Sequence, residues 1–278
     1  MEIKKVLKLY SLFSDKKWNE IDGNKQVFEN FCILTDNLSD EQIDLMFELT
    51  QRYKWFTLND YNSKLTKILQ DIFDNELENI DKLILFPIIK PEDEGKIKSG
   101  NAAIYMIRGI KPFVDKNNTV SIEEIIEFES LKEQNFTLNP NELIVLIDDY
   151  VGSGETLKAT LVEVLKNRSI TVDKIIVASI VIQQDTIDFL TDIGIKYYST
   201  DTVIKEISQR YVSPELEEKV RIMKDIERMI PGGSHFSFGY EHSEALVTLI
   251  RTPDNTFPIF WKEHRKNGKK YNAPFQRY

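Results

Sequence analysis

Leu143-Ile144-Val145-Leu146-Ile147-Asp148-Asp149-Tyr150-Val151-Gly152-Ser153-Gly154-Glu155-Thr156 runs from an aliphatic stretch, through two adjacent acids, into a turn of small residues. The unbroken run at 143–147 is what a strand covered on both faces requires, and Ile175–Ile182 has the same character. Between them, Glu155–Lys166 places Leu157, Leu161, Val164 and Leu165 at helical spacing. Strand, helix and strand in that order predict a parallel βαβ unit and an α/β fold. Ligands of open α/β sheets sit at the carboxyl ends of strands, where the two acids and the small-residue turn fall.

Upstream, Leu83-Ile84-Leu85-Phe86 running into Pro87 reads as the first strand of the same sheet. Downstream, a helix begins at Ser213 with Pro214 in its first turn and stops at Pro231-Gly232-Gly233. Ala245–Ile250 reads as a further strand. From Met1 to Leu77 the pattern is helical: Tyr61, Leu65, Ile68, Leu69, Ile72 and Phe73 form one apolar face. Ser39 with Gln42 three positions on predicts a capping box. Residues 90–140 stay open, because Ser121 with Glu124 suits a helix cap while Ile122, Ile125, Ile126 and Phe128 also suit a strand. The expected organisation is a helical region over 1–77 and an α/β domain over 78–278 that ends in a basic tail.

The chain has 278 residues, 41% of them hydrophobic, enough for a substantial core. Its 45 acidic and 36 basic residues give a net charge of −9, which disfavours general adhesion to a phosphate backbone or an anionic membrane. The tail is the exception: Lys262, Arg265, Lys266, Lys269, Lys270 and Arg277 face only Glu263 between 262 and 278. That tail and the helical region are the expected surfaces for a protein or RNA partner. Cys32 is the single cysteine, so no intrachain disulfide forms, and the three histidines have no zinc-binding spacing. A reducing cytoplasm is the expected compartment. The apolar runs fall well short of the ~20 residues that a membrane span needs, so no membrane contact is expected.

Gly152 and Gly154 let the backbone approach an anion, and Ser153 and Thr156 supply hydroxyls. The helix start adds unpaired N–H groups and roughly half a positive charge. Such a turn suits a phosphate monoester, and acids beside it suit sugar hydroxyls, to which a carboxylate is an acceptor. Other phosphate and nucleophile motifs fail. There is no G-x-x-x-x-G-K-[ST], the glycine series from Gly152 has Leu157 in its last position, and Ser153 has glycines directly beside it rather than two away. A receiver-like or phosphatase-like metal site needs a further acid or a D-x-D spacing, and Asp148-Asp149-Tyr150 lacks the latter.

This segment resembles the signature of type I phosphoribosyltransferases: an apolar strand, two acids, two variable residues and a small-residue phosphate loop ending in Thr. The resemblance implies a phosphoribosyltransferase-like parallel sheet flanked by helices, and phosphoribosyl diphosphate (PRPP) or a ribose 5-phosphate nucleotide as ligand. It assigns the ribose hydroxyls to a catalytic pair, Asp148 and Asp149. The 5′-phosphate goes to Gly152, Ser153, Gly154, Glu155 and Thr156, with Glu155 standing where the family has glycine. The family's loop after its first core strand, set against the pyrophosphate, matches Lys98, Ser99 and Gly100; Glu92, Asp93 and Glu94 lie close by in sequence. Mg²⁺ is implied with PRPP, reached by Asp148 and Asp149 through ribose and water. The implied reaction is glycosyl transfer with release of pyrophosphate.

The order of helical leader, Lys-Ser-Gly loop, strand turn and the ending Arg251-Thr-Pro-Asp-Asn-Thr-Phe-Pro-Ile-Phe-Trp261 further resembles stand-alone phosphoribosyltransferase-like proteins of bacterial conflict and retron-type antiviral systems. Phe257, Phe260 and Trp261 read as caps on a core. His235 and His242 are two further cleft candidates, and Arg251, after the last strand, is a candidate anion contact. A second functional class fits the same residues: a non-catalytic nucleotide sensor that keeps the cradle and acts on a partner.

Overall fold

A computed structural model describes residues 3–277. In chain order, helices α1 (Ile3–Asp15), α2 (Asn24–Asp36) and α3 (Asp40–Arg52) lead to a short strand β1 (Lys54–Trp55). Then come α4 (Leu58–Glu76), β2 (Lys82–Pro87), α5 (Ser99–Val114), β3 (Ser121–Glu124), β4 (Glu142–Val151), α6 (Glu155–Val164), β5 (Ile175–Gln183), α7 (Gln184–Asp192) and β6 (Lys196–Val203). Helix α8 (Glu215–Glu227) and strands β7 (Val247–Thr248), β8 (His264–Lys266) and β9 (Lys269–Tyr271) follow. Two compact units emerge, one spanning Leu58–Val203 and the other joining the residues up to Thr57 with those from Ile204 on.

In the 58–203 unit, the described residues form a five-stranded sheet in the order β3-β2-β4-β5-β6, with every pair parallel. The aliphatic runs occupy its centre. Ile84, Phe86, Ile144, Leu146 and Val177 share a core with Leu157 and Leu161 of α6 and Ile187 and Leu190 of α7. The two-residue period of a strand turns Leu83, Leu85, Leu143 and Val145 to the other face, and α4 and α5 pack on the strands and on each other. The register sets Pro87 opposite Ile147 and Asp148 opposite Ser179, so the acids fall where β2 has already ended.

The apolar face read on α4 is real: Tyr61, Leu65, Ile68, Leu69 and Ile72 are buried. Because that face packs on β5 and β6, α4 joins the sheet, and the unit begins at Leu58 where a boundary at 77 was expected. The open segment 90–140 holds both a helix, α5, and an edge strand, β3. Strand β6, Lys-Tyr-Tyr-Ser-Thr-Asp-Thr-Val, escaped the sequence pattern because it is a polar edge with only Val203 fully buried.

In the other unit, α1, α2, α3 and α8 enclose an aromatic core in which Tyr53 stacks on Phe275 with centroids 4.7 Å apart. The capping box at α3 is present, with Gln42 N–H donating to Ser39 Oγ and Ser39 N–H to Gln42 Oε1. Ala245–Ile250 forms less strand than expected: Val247–Thr248 pairs parallel to β1, Ala245 makes a single parallel bridge to Thr256, and residue 249 already bends away. Phe257 and Phe260 are fully buried and Trp261 nearly so, as core caps. In the basic tail, β8 and β9 form an antiparallel hairpin through Asn267-Gly268, both at positive φ as such a turn demands; Tyr278 lies outside the described residues. No helix among the described residues is long and apolar enough to cross a membrane.

Candidate functional site

At the end of β4 the chain turns through Gly152-Ser153-Gly154 into α6. Gly154 has φ of 77°, a conformation that costs an L side chain, and an added Cβ would lie 3.0 Å from Thr186 Oγ1. Thr186 in turn donates to the Gly152 carbonyl at 2.6 Å, which fixes the turn from the side of α7. Ser153 and Thr156 are partly exposed at the mouth of α6. The backbone N–H groups of the first turn of α6 have no intrahelical acceptors and add the helix's positive end.

Glu155, which stands where an anion-binding turn is better without a carboxylate, is exposed and pairs with Lys90 Nζ at 2.9 Å. The ion pair neutralises the acid, and it raises the Lys90 ammonium above its ordinary value, chiefly through the hydrogen bond to Glu155. The segment after β2 is also tied to α6 by its backbone. Thr160 Oγ1 donates to the Ile89 carbonyl at 2.8 Å and accepts from the Ile89 N–H at 3.1 Å.

The start of α5 reaches the acids. Gly100 is buried against the ends of β2 and β4, and a Cβ there would come 2.6 Å from the Ile147 carbonyl oxygen and 3.0 Å from Pro87 Cβ. Only glycine lets the helix sit this close, and the approach delivers Ser99 Oγ to Asp148 Oδ1 at 2.5 Å. Lys98 turns to Asp93 at 2.8 Å, and Lys96 reaches the same carboxylate at 2.6 Å. Hydrogen bonds from Lys96 and then Lys98 hold Asp93 below the usual carboxylate range.

The two acids have different surroundings. Asp149 is buried, so the pair is not equally exposed at a strand end, and Tyr61 Oη donates to Asp149 Oδ2 at 2.5 Å. Asp148 is partly buried and also accepts the Asp149 N–H at 2.9 Å. Burial first, and then the charge of Asp149, push the Asp148 carboxyl well above its ordinary value. A carboxyl so placed binds a proton readily and gains from any donor that stabilises its charged form, as a sugar hydroxyl does.

A family model described as PRTase-CE matches residues 25–277. The chain belongs to the PRTase-CE family, and is a phosphoribosyltransferase-like protein. No curated protein matches this PRTase-CE member in sequence. Among solved structures it is similar to the hypoxanthine-guanine phosphoribosyltransferase of Schistosoma mansoni in complex with IMP, at 15% identity and a TM-score of 0.33. That alignment covers 53% of this chain and 65% of the Schistosoma chain, so the chain spans under two thirds of that enzyme. A xanthine-guanine-hypoxanthine phosphoribosyltransferase of Helicobacter pylori aligns at 11% identity and a TM-score of 0.31, over 54% of this chain and 84% of its own. A hypothetical protein of Neisseria gonorrhoeae with bound ppGpp aligns at 13% identity and 0.32, over 62% and 97%.

In this PRTase-CE chain, two segments read separately from the sequence converge: the stretch that carries Asp148, Asp149 and the turn 152–156, and Ser99 with Gly100. His235, His242 and Arg251 belong to the other compact unit. Tyr61, Lys90, Thr160 and Thr186 went unnoticed as site residues. Tyr61 had one legible signal, a phenol within an otherwise aliphatic buried face, since a buried hydroxyl requires a partner. Among the described residues no group of three or more His, Cys, Asp and Glu could hold a metal ion. The two carboxylates at 148 and 149 still fit Mg²⁺, which takes one or two protein carboxylates and completes its shell with water and substrate phosphates.

Proposed function

We propose that this protein binds PRPP or a related ribose 5-phosphate nucleotide at the end of β4 and transfers the phosphoribosyl group with release of pyrophosphate. The observation that carries this reading is the 2.5 Å bond between Ser99 and Asp148, which joins the pyrophosphate-loop segment to the ribose acids beside the glycine turn. Asp148 and Asp149 accept the ribose hydroxyls. Gly152, Ser153, Gly154 and Thr156 hold the 5′-phosphate with backbone N–H groups and hydroxyls, while Lys90 keeps Glu155 from repelling it. Lys98, Ser99 and Gly100 face the pyrophosphate, Lys98 exchanging Asp93 for the incoming anion.

In the reaction a nucleophile's lone pair forms a bond to C1 of the ribose as the C1–O bond breaks, and pyrophosphate leaves with that electron pair. The ring passes through an oxocarbenium-like state. The protein contributes position and charge. Mg²⁺, when bound with the substrate through Asp148, Asp149, ribose and water, supplies positive charge to the pyrophosphate oxygens. The role of effector in a bacterial retron-type antiviral system belongs to the same proposal, supported by the resemblance in the order of helical leader, Lys-Ser-Gly loop, strand turn and 251–261 ending. The helical region and the basic hairpin are its surfaces for a protein or RNA partner.

A second reading has an observation of its own. Asp148, Asp149 and Lys98 are already engaged by Ser99, Tyr61 and Asp93, which suits a cradle that responds to a nucleotide without turning it over. Calorimetric titration with PRPP, with and without Mg²⁺ and against ribose 5-phosphate and ATP, tests both when released pyrophosphate is assayed in the same sample. Binding with release on adding a nucleobase supports the transferase. Binding without release supports the sensor, and no binding sinks both.

A further inference from the structure

The unit that lacks the β4 cradle contains a pocket of about 520 Å³, within the range of small-molecule sites. Its chemistry is unlike that of the chain as a whole. The protein carries a net charge of −9, yet this pocket is lined by Arg251 and Arg277 with no acidic side chain among its lining residues. The half-buried indole of Trp55 and the amides of Gln26, Asn272 and Gln276 are also in its wall.

The walls are fixed before any ligand arrives. Asn30 donates to the Ala273 carbonyl at 3.0 Å and accepts from Gln26 Nε2 at 3.1 Å. Thr252 Oγ1 donates to the Phe275 carbonyl at 3.2 Å and lies 3.0 Å from Thr248 Oγ1. Trp55 is set edge-on against Phe275 and Trp18, with centroids at 5.1 and 5.7 Å. Arg277 is oriented by Asp254 at 3.1 Å and by the Trp261 ring, its guanidinium 5.4 Å from the centroid. Arg251 is exposed and, among the described residues, has no ion-pair partner.

We propose that this pocket is a second ligand site, for a nucleoside monophosphate. A guanidinium fork matches a phosphate in geometry and charge, and Arg251 supplies the charge that Asp254 has already drawn from Arg277. An indole offers a face to a planar base, and side-chain amides carry the donor and acceptor that a base edge requires. A simple anion hole would need neither the indole nor three amides, and an apolar pocket would need no arginine. Held on a unit without the cradle's acids, such a site makes the protein responsive to a nucleotide other than its substrate.

The test is quenching of tryptophan fluorescence by AMP, GMP, CMP and UMP on the full chain, with the matching nucleosides and inorganic phosphate as controls. PRPP is titrated in parallel by calorimetry. At least one monophosphate should quench, Trp55→Phe should abolish that quench, and Arg251→Glu should weaken the same ligand by about tenfold or more. Both variants should keep the wild-type circular dichroism and the wild-type response to PRPP, so that failure here is separable from failure of the cradle. Arg277→Lys, which keeps the charge and loses the fork, should weaken binding less than Arg251→Glu. The proposal is overturned if Arg251→Glu leaves monophosphate binding unchanged or if nucleosides bind as well as their monophosphates. It is equally overturned if a short RNA binds through Arg251 and no mononucleotide competes with it.

Discussion

The phenol of Tyr61 in α4 donates a 2.5 Å hydrogen bond to Oδ2 of Asp149 in β4, across 88 residues of sequence. Both groups are buried, so the bond settles where the Asp149 carboxylate points before a ligand is present. Tyr61→Phe keeps the ring volume and removes the donor, leaving a buried carboxylate oxygen short of a partner at a cost of about 1–3 kcal/mol. The expected result is a lower Tm and a several-fold weaker PRPP affinity with unchanged circular dichroism. Calorimetry on the variant decides the direction: a rise in affinity would mean that the phenol competes with the ribose hydroxyl rather than orienting its acceptor.

Asp148 gives a prediction in which stability and binding move in opposite directions. Burial and the neighbouring Asp149 raise its carboxyl in the folded state, so the folded protein holds this proton to higher pH than the unfolded chain. The folded state therefore loses stability as pH rises from about 4 through the raised value, and bears the full cost of the charge above it. Asp148→Asn keeps an acceptor for Ser99 Oγ and for the Asp149 N–H while removing that charge. Its Tm should exceed that of the wild type at pH 7 and converge with it near pH 4, measured by scanning calorimetry. PRPP affinity should fall about tenfold or more, because hydrogen bonds to a charged acceptor contribute about 1.5–3 kcal/mol.

Gly100 separates packing from chemistry at the start of α5. A methyl group added there meets the Ile147 carbonyl oxygen at 2.6 Å, and backbone cannot step aside as a flexible side chain could. Gly100→Ala should cost about 1–3 kcal/mol, the usual range for overpacking. It should also move Ser99 away from Asp148, so PRPP affinity should fall further than in Ser99→Ala, which deletes the hydroxyl alone. Equal affinities in the two variants would show that the position of α5 matters only through Ser99.

How far the sequence could be read follows from which contacts are local. The central strands at 143–147 and 175–182 were legible because burial on both faces leaves an unbroken aliphatic run, and the glycine turn because it lies next to them. The polar edge strand β6 carries no such run, and the strand expected over 245–250 shrank to two residues because its partner, β1, is itself only two residues long. Asp148, Asp149, Gly152 and Gly154 could be named from one segment. The partner of the Tyr61 phenol and the role of Thr186 could not, because both exist only once α4 and α7 have packed on the sheet.

His264, in β8, tests the acid side of stability in the unit without the cradle. It is fully buried, its Nε2 lies 3.3 Å from Asn37 Nδ2, and among the described residues its Nδ1 has no hydrogen-bond partner. Burial pushes its pKa down to about 4 from an ordinary value near 6.5. Between those two values the unfolded chain binds a proton that the folded protein refuses, so stability is complete above pH 6.5 and declines as pH falls toward 4. The loss from this one group reaches at most about 3 kcal/mol. His264→Gln keeps an amide that can face Asn37 and cannot titrate in this range. Its Tm should fall less than that of the wild type between pH 6.5 and 4, whatever its absolute value at pH 7, and parallel curves for the two proteins would place the acid sensitivity elsewhere.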